Sequence, residues 1–422
     1  MISRDERQNI ALQKWFDNKG IGTIIAPTGL GKTRIATNMI GKILNKYPTS
    51  KFIIVVPTTI LKDQWTEILD KLGYGFNCKV LVINTVIKHN YKCDILIIDE
   101  VQRVPSSTFR ATFDTIQYKY VMCLTATLER LDGLESIVME HCPVIDRITL
   151  TEALINGWVS PYKEYQVMID VPDIEKYREM NKRFVHFFSF FNFDFNLAMR
   201  CLGKDGYKFR RNLAEKMVLE KNPELRKKKV YEKFKDITSY AMAFMKTIQE
   251  RKTFINNHPK KIEIARDIIK AREGKKIITF SNNIKMAEKI GIGSVYSGRD
   301  TGKHGKQIMD DFRNGKFNVL STIRKADEGL DIPGLGVAIM LGIDSSKIRR
   351  TQRIGRAIRK EGDKQAEIFV LVIRNTVEEK WAANSQVTEN VIKIDEGGLR
   401  DVLNGNDPRA YDKPVQKIQF RF

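Results

Sequence analysis

The sequence predicts an α/β protein with two parallel-sheet lobes and a helical insertion between them. Two stretches of the 422-residue chain alternate short apolar runs with helix-like segments, and a stretch of different composition separates them. Continuous apolar runs rich in β-branched residues are typical of parallel strands that helices cover on both faces. A chain of this length can bury two or three cores. We expect a first lobe at 1–150, a connector and insertion at 151–258, a second lobe at 259–395, and an irregular tail at 396–422.

Ten apolar runs define the two lobes, and polar or turn residues bound most of them. In the first lobe we expect strands at 23–26, 52–57, 80–83, 95–98 and 121–124. In the second lobe we expect strands at 277–280, 295–297, 319–322, 337–341 and 368–373, with helices at 285–290 and 306–313 among the segments between them. Only the alternation recurs in the second lobe, so the two lobes are not a sequence repeat.

The segment at 173–258 is polar, basic and aromatic, which favours a helical insertion. Seven phenylalanines crowd residues 184–195, and a basic run follows at Arg226, Lys227, Lys228 and Lys229. In one interpretation the basic side chains bind duplex phosphates and an aromatic ring wedges at a strand junction, where base stacking contributes about 1–3 kcal/mol. In the other, the phenylalanines pack a small core and the lysines are solvated. We favour the core for most phenylalanines and phosphate binding for the basic run.

The net charge indicates a polyanionic partner. The chain carries 72 Lys and Arg against 51 Asp and Glu, a net charge of +21. Nucleic acid is the simplest polyanion for such a surplus. The alternative is a solvated basic surface, and charge alone does not separate DNA from RNA or from an anionic membrane.

Composition argues against secreted, membrane and zinc-binding classes. No apolar run is long enough to span a bilayer, and the first ten residues lack the apolar stretch of a signal peptide. The five cysteines form no close pairs and are odd in number, which argues against a disulfide framework and favours buried thiols. The five histidines are scattered. We therefore expect a cytoplasmic protein without a membrane partner.

A phosphate-binding loop is predicted at residues 26–33. The sequence APTGLGKT follows the strand at 23–26 and precedes a helix-like run at 34–44, the setting that such a loop needs. Gly29 and Gly31 allow close backbone approach, Lys32 can contact the β- and γ-phosphates, and Thr33 can ligate Mg²⁺. Ala26 replaces the first glycine of the general pattern, and a simple glycine-rich turn is the less favoured alternative. The candidate ATP-binding residues here are Pro27, Thr28, Gly29, Leu30, Gly31, Lys32 and Thr33.

Two adjacent carboxylates end the strand at 95–98. Acidic residues at the end of a buried strand are costly without a partner or a function. Asp99 can hold Mg²⁺, as a Walker-B aspartate does, and Glu100 can accept a proton from the attacking water. An ordinary charged strand end is the alternative, which the phosphate loop upstream in the same lobe makes less favoured.

A late arginine motif is the third element of the predicted site. Arg353, Arg356 and Arg359 recur every three residues, which places them along one helical face. An arginine supplied across a cleft stabilises charge on the γ-phosphate and accelerates hydrolysis by about 10³–10⁵. The alternative is a solvated or nucleic-acid-binding face. We assign Arg356 and Arg359 to the nucleotide and leave Arg353 open.

The order of these motifs resembles that of superfamily 2 helicases. The motifs are the phosphate loop, DEVQ at 99–102, LTAT at 124–127, EGLD at 328–331 and QRIGRAIR at 352–359. The closer resemblance is to XPB-type and UvsW-type DNA helicases. The motifs of that group resemble residues 99–109, 124–133, 295–298 and 321–333 of this chain, and its connector between lobes resembles residues 153–161. The resemblance covers about 1–171 and 275–380 and implies two RecA-like lobes with ATP and Mg²⁺ in the cleft.

The resemblance also implies roles for individual residues. Gln8 would read adenine, although a polar residue on an amphipathic helix is a serious alternative. Gln102, which replaces the histidine usual in the XPB-type group, would couple the γ-phosphate to the lobe interface together with 125–127. Gly329 and Asp331 would contribute to the nucleotide site from the second lobe. The candidate contacts to one nucleic-acid strand are Thr58, Thr85, Ser281, Ser297 and Thr322, for each of which a capping or turn hydroxyl is an equal alternative.

These implications give an ATP-dependent DNA helicase that translocates on DNA. Forked or branched substrates, with branch migration of Holliday junctions, follow from the UvsW-type resemblance alone, as does a phage origin, which would place the protein in the host cytoplasm. The expected partner is single-stranded, forked or branched DNA, and a monomer is favoured. Three alternatives stay open: an RNA helicase, a duplex-DNA translocase without strand separation, and a scaffold with an inactive ATP site. The intact Lys32, Asp99, Glu100 and Arg356 argue against the scaffold.

Overall fold

The computed structural model describes residues 2–103, 106–128, 135–203, 205–219, 227–297, 300, 302–323, 334–343, 365–386 and 391–408. These residues form two compact units. The first unit comprises 2–168, 262–372 and the residues from 378, and the second comprises 169–261 and 373–377. No helix among the described ranges combines the length and the apolar character that a bilayer crossing requires.

A six-stranded parallel sheet forms the first lobe. Its order is β3-β2-β5-β7-β1-β8, and β4 and β6 form a separate parallel pair. The strands are β1 (Ile21–Ile25), β2 (Phe52–Val56), β3 (Cys78–Val82), β4 (Tyr91–Lys92), β5 (Ile95–Asp99), β6 (Ile116–Gln117), β7 (Tyr120–Thr125) and β8 (Val144–Arg147). The helices are α1 (Arg4–Asp17), α2 (Lys32–Lys46), α3 (Thr59–Lys71), α4 (Ile83–Val86), α5 (Ser106–Thr115), α6 (Glu135–His141) and α7 (Leu150–Ile155), with a 3₁₀ turn at Val101–Arg103.

The register of the first sheet brings three strand ends to one edge. Ile25 pairs with Thr125, and Asp99 pairs with Leu124. Successive strand residues enter opposite apolar clusters: Ile24 lies in one cluster and Ile25 in the other, as expected for a sheet covered on both faces. The loop after β1, the carboxylates after β5 and Thr125 therefore share the carboxyl edge of the sheet.

Four helices form the second unit: α8 (Ile174–Ser189), α9 (Phe195–Leu202), α10 (Gly206–Leu219) and α11 (Lys227–Asn257). Phe191 and Phe244 are buried at its centre, and Phe184 and Phe188 stack on Phe244 with ring centroids 5.4 and 5.0 Å apart. The prediction that most phenylalanines form a small helical core is confirmed. Phe195 is the clearest exception, with about half of its surface exposed.

A seven-stranded sheet forms the second lobe, in the order β11-β12-β10-β13-β14-β9-β15. The strands are β9 (Tyr162–Ile169), β10 (Lys276–Ser281), β11 (Ser294–Tyr296), β12 (Val319–Ile323), β13 (Leu335–Met340), β14 (Ala366–Ile373) and β15 (Val391–Ile394). The described helices are α12 (Pro259–Ala271), α13 (Ile284–Ile290), α14 (Gly302–Arg313), α15 (Val377–Asn384) and α16 (Glu396–Leu403). The pairs from β11 through β14, and the pair of β9 with β15, are parallel.

The predicted fold class is confirmed, and all ten predicted strands are present within two or three residues of their expected bounds. Five strands were not predicted: the two-residue strands β4 and β6, and β8, β9 and β15. Each contains charged or polar residues beside apolar ones, so none reads as a continuous apolar run. The prediction of an irregular tail from 396 is wrong for Glu396–Leu403, which form α16 with the Asp395 side chain capping its first turn.

Candidate ATP-binding site

The loop between β1 and α2 has the backbone of a phosphate cradle. Gly29 and Gly31 have φ of 92° and 93°, in the left-handed region that favours glycine. Gly31 is the N-cap of α2. Gln8 packs closely against Gly31, because a Cβ at Gly31 would lie 2.6 Å from Nε2 of Gln8. The helix N-terminus presents backbone N–H groups to an anion. Both features are compatible with the predicted phosphate-binding loop.

Lys32 connects this loop to the end of β5. Its side chain is buried, with 8% of the residue exposed. Its Nζ donates to the carbonyl of Ala26 at 3.4 Å and lies 3.6 Å from Oε1 of Glu100. A buried ammonium held by a weak carbonyl contact and one carboxylate can exchange these partners for phosphate oxygens.

Asp99 is buried beneath the loop and is held by two donors. The indole Nε1 of Trp65 on α3 donates to Oδ2 at 2.9 Å, and the Glu100 amide donates to Oδ1 at 3.0 Å. Burial, and next the charge of Glu100, raise the pKa of Asp99 to about 6, while Lys32 and the Trp65 hydrogen bond oppose that rise. A cation at this carboxylate would remove the electrostatic cost of its ionised form.

A hydrogen-bonded chain runs from Glu100 to β7. Gln102 Nε2 donates to Oε2 of Glu100 at 2.5 Å, and the Thr125 hydroxyl makes a short hydrogen bond to Oε1 of Gln102. The amide of Thr127 donates back to the Thr125 hydroxyl at 3.1 Å. Glu100 has φ of 52°, which is strained for a residue with a side chain. The Glu100 carboxylate contacts both Lys32 and Gln102.

Gln8 on α1 also contacts the phosphate loop. Its Nε2 donates to the carbonyl of Leu30 at 2.6 Å, while its buried Oε1 has no hydrogen-bond partner among the described residues. Within the same part of the chain, the buried hydroxyl of Thr28 in the loop has none either. Unsatisfied buried polar atoms cost about 1–3 kcal/mol each, so a ligand able to hydrogen-bond both would be favoured here.

A buried ion network fixes α1 beside this loop. Arg7 donates to both carboxylate oxygens of Asp146 on β8, at 2.6 and 3.1 Å, and to Glu152 on α7 at 2.8 Å. Lys14 donates to Asp146 at 2.5 Å. Burial alone would raise the pKa of Asp146, but the hydrogen bonds from Arg7 and Lys14 outweigh burial and hold that pKa below its usual value. Sequence reasoning missed this network because its members lie more than 130 residues apart.

The oxygen donors here suit a hard divalent cation. Asp99 supplies a carboxylate, and Thr33, half-buried in the first turn of α2, supplies a hydroxyl. Carboxylates, hydroxyls and phosphate oxygens are the ligands that Mg²⁺ prefers. The residues present therefore fit a magnesium–nucleotide complex.

The structure brings together the predicted ATP-site residues of the first lobe. Gln8, Pro27–Thr33, Asp99, Glu100 and Gln102 lie at one edge of the sheet. Gly329, Asp331, Arg356 and Arg359 lie outside the described residues. The contact of Trp65 with Asp99 was not predicted. The sequence shows Trp65 only as a tryptophan on an amphipathic helix, and nothing in it indicates a hydrogen bond to the end of a strand 34 residues later.

The residues predicted to contact nucleic acid differ in how deeply their side chains are buried. Ser281 and Thr322 are fully buried, and their hydroxyls donate to main-chain carbonyls. Ser297 is buried and donates to Asp300 at 2.9 Å. Thr58 caps α3 through its side chain, and Thr85 is exposed on α4. Contacts at Ser281 and Thr322 would therefore have to use backbone amides.

The basic run is described only in part. Arg226 lies outside the described residues. Lys227 and Lys228 begin α11, but their side chains are among those not described, and Lys229 is exposed.

Two protein-family models match the chain. Residues 2–91 match "Type III restriction enzyme, res subunit", and residues 260–361 match "Helicase conserved C-terminal domain". The first match contains the phosphate loop, and the second contains the late arginine motif.

Three relatives extend this similarity over most of the chain. The "DNA 3'-5' translocase XPB2" of Sulfurisphaera tokodaii is 26% identical over 89% of this chain and 83% of its own length. The "DNA 3'-5' helicase XPB" of Kineococcus radiotolerans is 23% identical over 88% of this chain and 60% of its own length. "Putative helicase 22" of Sulfolobus islandicus filamentous virus is 22% identical over 86% of this chain and 63% of its own length.

The fold is similar to that of solved helicase domains. The Pyrococcus furiosus Hef helicase domain aligns with 90% of this chain and 97% of its own, with a TM-score of 0.52 and 19% identity. The protein is thus a superfamily 2 helicase, an enzyme that hydrolyses ATP. Over most of its length the chain is similar to XPB-type DNA helicases and translocases.

Proposed function

We propose that the chain is a DNA-translocating motor that separates strands at forks and branches. The observation that carries the proposal is the continuous polar path from Lys32 through Glu100 and Gln102 to Thr125. It connects the phosphate loop to the strand end of the LTAT motif. A change at the γ-phosphate would therefore reach β7 through directly bonded side chains.

In this proposal each residue of the first lobe has a distinct task. Lys32 would exchange its carbonyl and carboxylate contacts for the β- and γ-phosphate oxygens, and Asp99 and Thr33 would hold Mg²⁺, which neutralises phosphate charge. Glu100, freed from Lys32, would accept the proton of the attacking water. Gln8 would use its unsatisfied Oε1 to accept from the adenine amino group.

We further propose that Arg356 and Arg359, with Gly329 and Asp331, complete the site from the second lobe. Arg359→Ala should then spare ATP binding and slow hydrolysis. If this variant loses only DNA binding, the arginine belongs to a nucleic-acid surface instead.

The decisive test of the ATP site is Lys32→Ala. We expect it to abolish ATP hydrolysis while the circular dichroism spectrum and unfolding midpoint stay close to those of the parent. Arg34→Ala, which changes an exposed cation of the same helix, is the matched control and should keep its turnover. Substantial hydrolysis by Lys32→Ala would refute the assigned role of the loop.

The substrate is tested by strand displacement on tailed, forked and four-way DNA, with RNA of matched sequence in parallel. The names of the XPB relatives support DNA, and the viral relative supports a phage origin with action in the host cytoplasm. We expect a monomer to unwind branched DNA, migrate four-way junctions, and bind DNA with an affinity that falls steeply with salt. If duplex DNA stimulates ATP turnover but no strand is displaced, the protein is instead a duplex translocase. If only RNA stimulates ATP turnover, the protein is an RNA helicase.

A further inference from the structure

The helical insertion carries an uneven share of the positive charge. Residues 169–261 contain 22 Lys and Arg against 12 Asp and Glu, an excess of ten within a whole-chain excess of 21. The phenylalanines of this unit account for its core, and they do not explain its exposed aromatic residues.

Two tyrosines of the insertion stand exposed on neighbouring helices. Tyr207, in the first turn of α10, is 65% exposed, and Tyr231 on α11 is 58% exposed. The ring of Tyr207 packs edge-on against Phe234 of α11, with centroids 5.2 Å apart. Tyr231 precedes Phe234 by three residues and so lies one helical turn away on the same side of α11. The two tyrosines therefore flank one partly buried phenylalanine.

Cations surround these rings. Lys235 Nζ lies 4.7 Å from the centroid of the Tyr231 ring, and the guanidinium of Arg210 lies 5.5 Å from that of Phe234. We call the surface formed by Tyr207, Tyr231, Phe234, Arg210 and Lys235 the tyrosine surface.

Acidic side chains are present but lie to one side of this surface. Glu232 and Asp236 are exposed on α11, each one position after a member of the tyrosine surface. One position along a helix corresponds to a rotation of about 100°. The rings of Tyr231 and Phe234 therefore share with Lys235 a side of α11 from which these carboxylates are turned away.

We propose that the tyrosine surface binds single-stranded nucleic acid, with bases stacked on Tyr207 and Tyr231 and phosphates on Lys235 and Arg210. Stacking on exposed rings tolerates any base, and lysines follow a backbone without reading sequence. This chemistry suits a motor that must act on every sequence it meets. The site is distinct from the strand contacts expected of the two lobes and needs no nucleotide.

The first test is photo-crosslinking of the full-length protein to an oligothymidylate that contains 5-iodouracil, without ATP. Crosslinked peptides should include Tyr207 and Tyr231, and the double variant Tyr207→Phe, Tyr231→Phe, which keeps the rings, should bind as the parent does. Crosslinks confined to the two lobes would overturn the proposal. So would crosslinking equally strong at the exposed Tyr47, which has a neighbouring lysine but lies in the first lobe.

The second test is the affinity for the same oligonucleotide, measured by fluorescence anisotropy. The double variant Tyr207→Ala, Tyr231→Ala should bind about tenfold more weakly or worse, while Tyr47→Ala binds normally. Lys235→Ala should instead reduce the slope of log affinity against log salt. Unchanged affinity in the tyrosine variant, or weakened binding of duplex alone, would reject stacking. ATP turnover without DNA should be normal in all variants, so a failure here leaves the proposed motor intact.

Discussion

The indole Nε1 of Trp65 donates a 2.9 Å hydrogen bond to Oδ2 of Asp99, and both side chains are buried. The bond joins the second turn of α3 to the end of β5. It favours the ionised carboxylate against the combined effects of burial and the Glu100 charge. Trp65 is thus a positioning residue for the carboxylate to which we assign Mg²⁺.

Trp65→Phe should weaken the use of Mg²⁺ while the nucleotide still binds. A hydrogen bond to a charged group contributes about 1.5–3 kcal/mol, so we expect half-saturation of ATP hydrolysis to need roughly tenfold more Mg²⁺. The thermal stabilisation by ADP with Mg²⁺ should fall, and that by ADP alone should not. Trp15→Phe is the control, because the buried Trp15 indole donates to the Val121 carbonyl instead. Equal magnesium dependence in the two variants would contradict the role of Trp65.

Gly31→Ala should reduce ATP affinity by displacing Gln8. The new Cβ would meet Nε2 of Gln8 at 2.6 Å, and φ of 93° disfavours any side chain. We expect the dissociation constant for ATP to rise about tenfold, measured by equilibrium binding of a fluorescent analogue. Gly73→Ala carries a similar left-handed φ of 75° with open space around the Cβ. That variant should lose about 1 kcal/mol of stability without loss of ATP affinity.

Thr125→Val should uncouple hydrolysis from the rest of the first lobe. It removes the hydroxyl that reaches Gln102 and leaves the amide oxygen of Gln102 without that donor. We expect kcat with saturating DNA to fall about tenfold, with KM for ATP nearly unchanged. Thr23→Val removes an equally buried strand hydroxyl that donates to the Cys142 carbonyl at 2.6 Å. If Thr23→Val lowers kcat as much, general destabilisation rather than coupling explains the effect.

Asp146→Asn should destabilise the protein at neutral pH by about 3 kcal/mol, because it leaves Arg7 buried without its main charge partner. The folded pKa of Asp146 is lowered, so the ionised carboxylate contributes stability above its unfolded pKa of about 3.9. That contribution is lost as pH falls through the still lower folded pKa. Urea unfolding should therefore show a large difference between variant and parent at pH 7 and a shrinking one below about pH 4. A difference constant with pH would exclude the ion network as its source.

The first-lobe half of the site was accessible to sequence reasoning because its chemistry is local. The phosphate loop is eight consecutive residues, and Asp99, Glu100 and Gln102 follow one recognisable strand. Buried parallel strands such as β2 and β5 were equally clear, since every residue of β2 and all but the last of β5 are apolar.

What the sequence did not reveal depends on distant partners. Trp65 contacts Asp99, and Arg7 contacts Asp146, only because the folded sheet brings distant parts of the chain together. The strand β9 alternates polar with apolar residues, including the buried Glu164 and Gln166, so it resembled a surface segment. The exposure of Tyr207 could not be read from composition, because tyrosine is equally compatible with a core.

The position of β9 limits how this protein can be divided. In the second sheet β9 lies between β14 and β15, although it precedes the insertion in sequence. A fragment that begins at residue 259 would lack an inner strand, leaving β14 with unpaired amides and carbonyls and β15 without its neighbour. Open strand edges of this kind recruit other chains. A separately expressed carboxyl-terminal half should therefore aggregate unless residues 162–169 are grafted back, and a productive split site must fall before Tyr162.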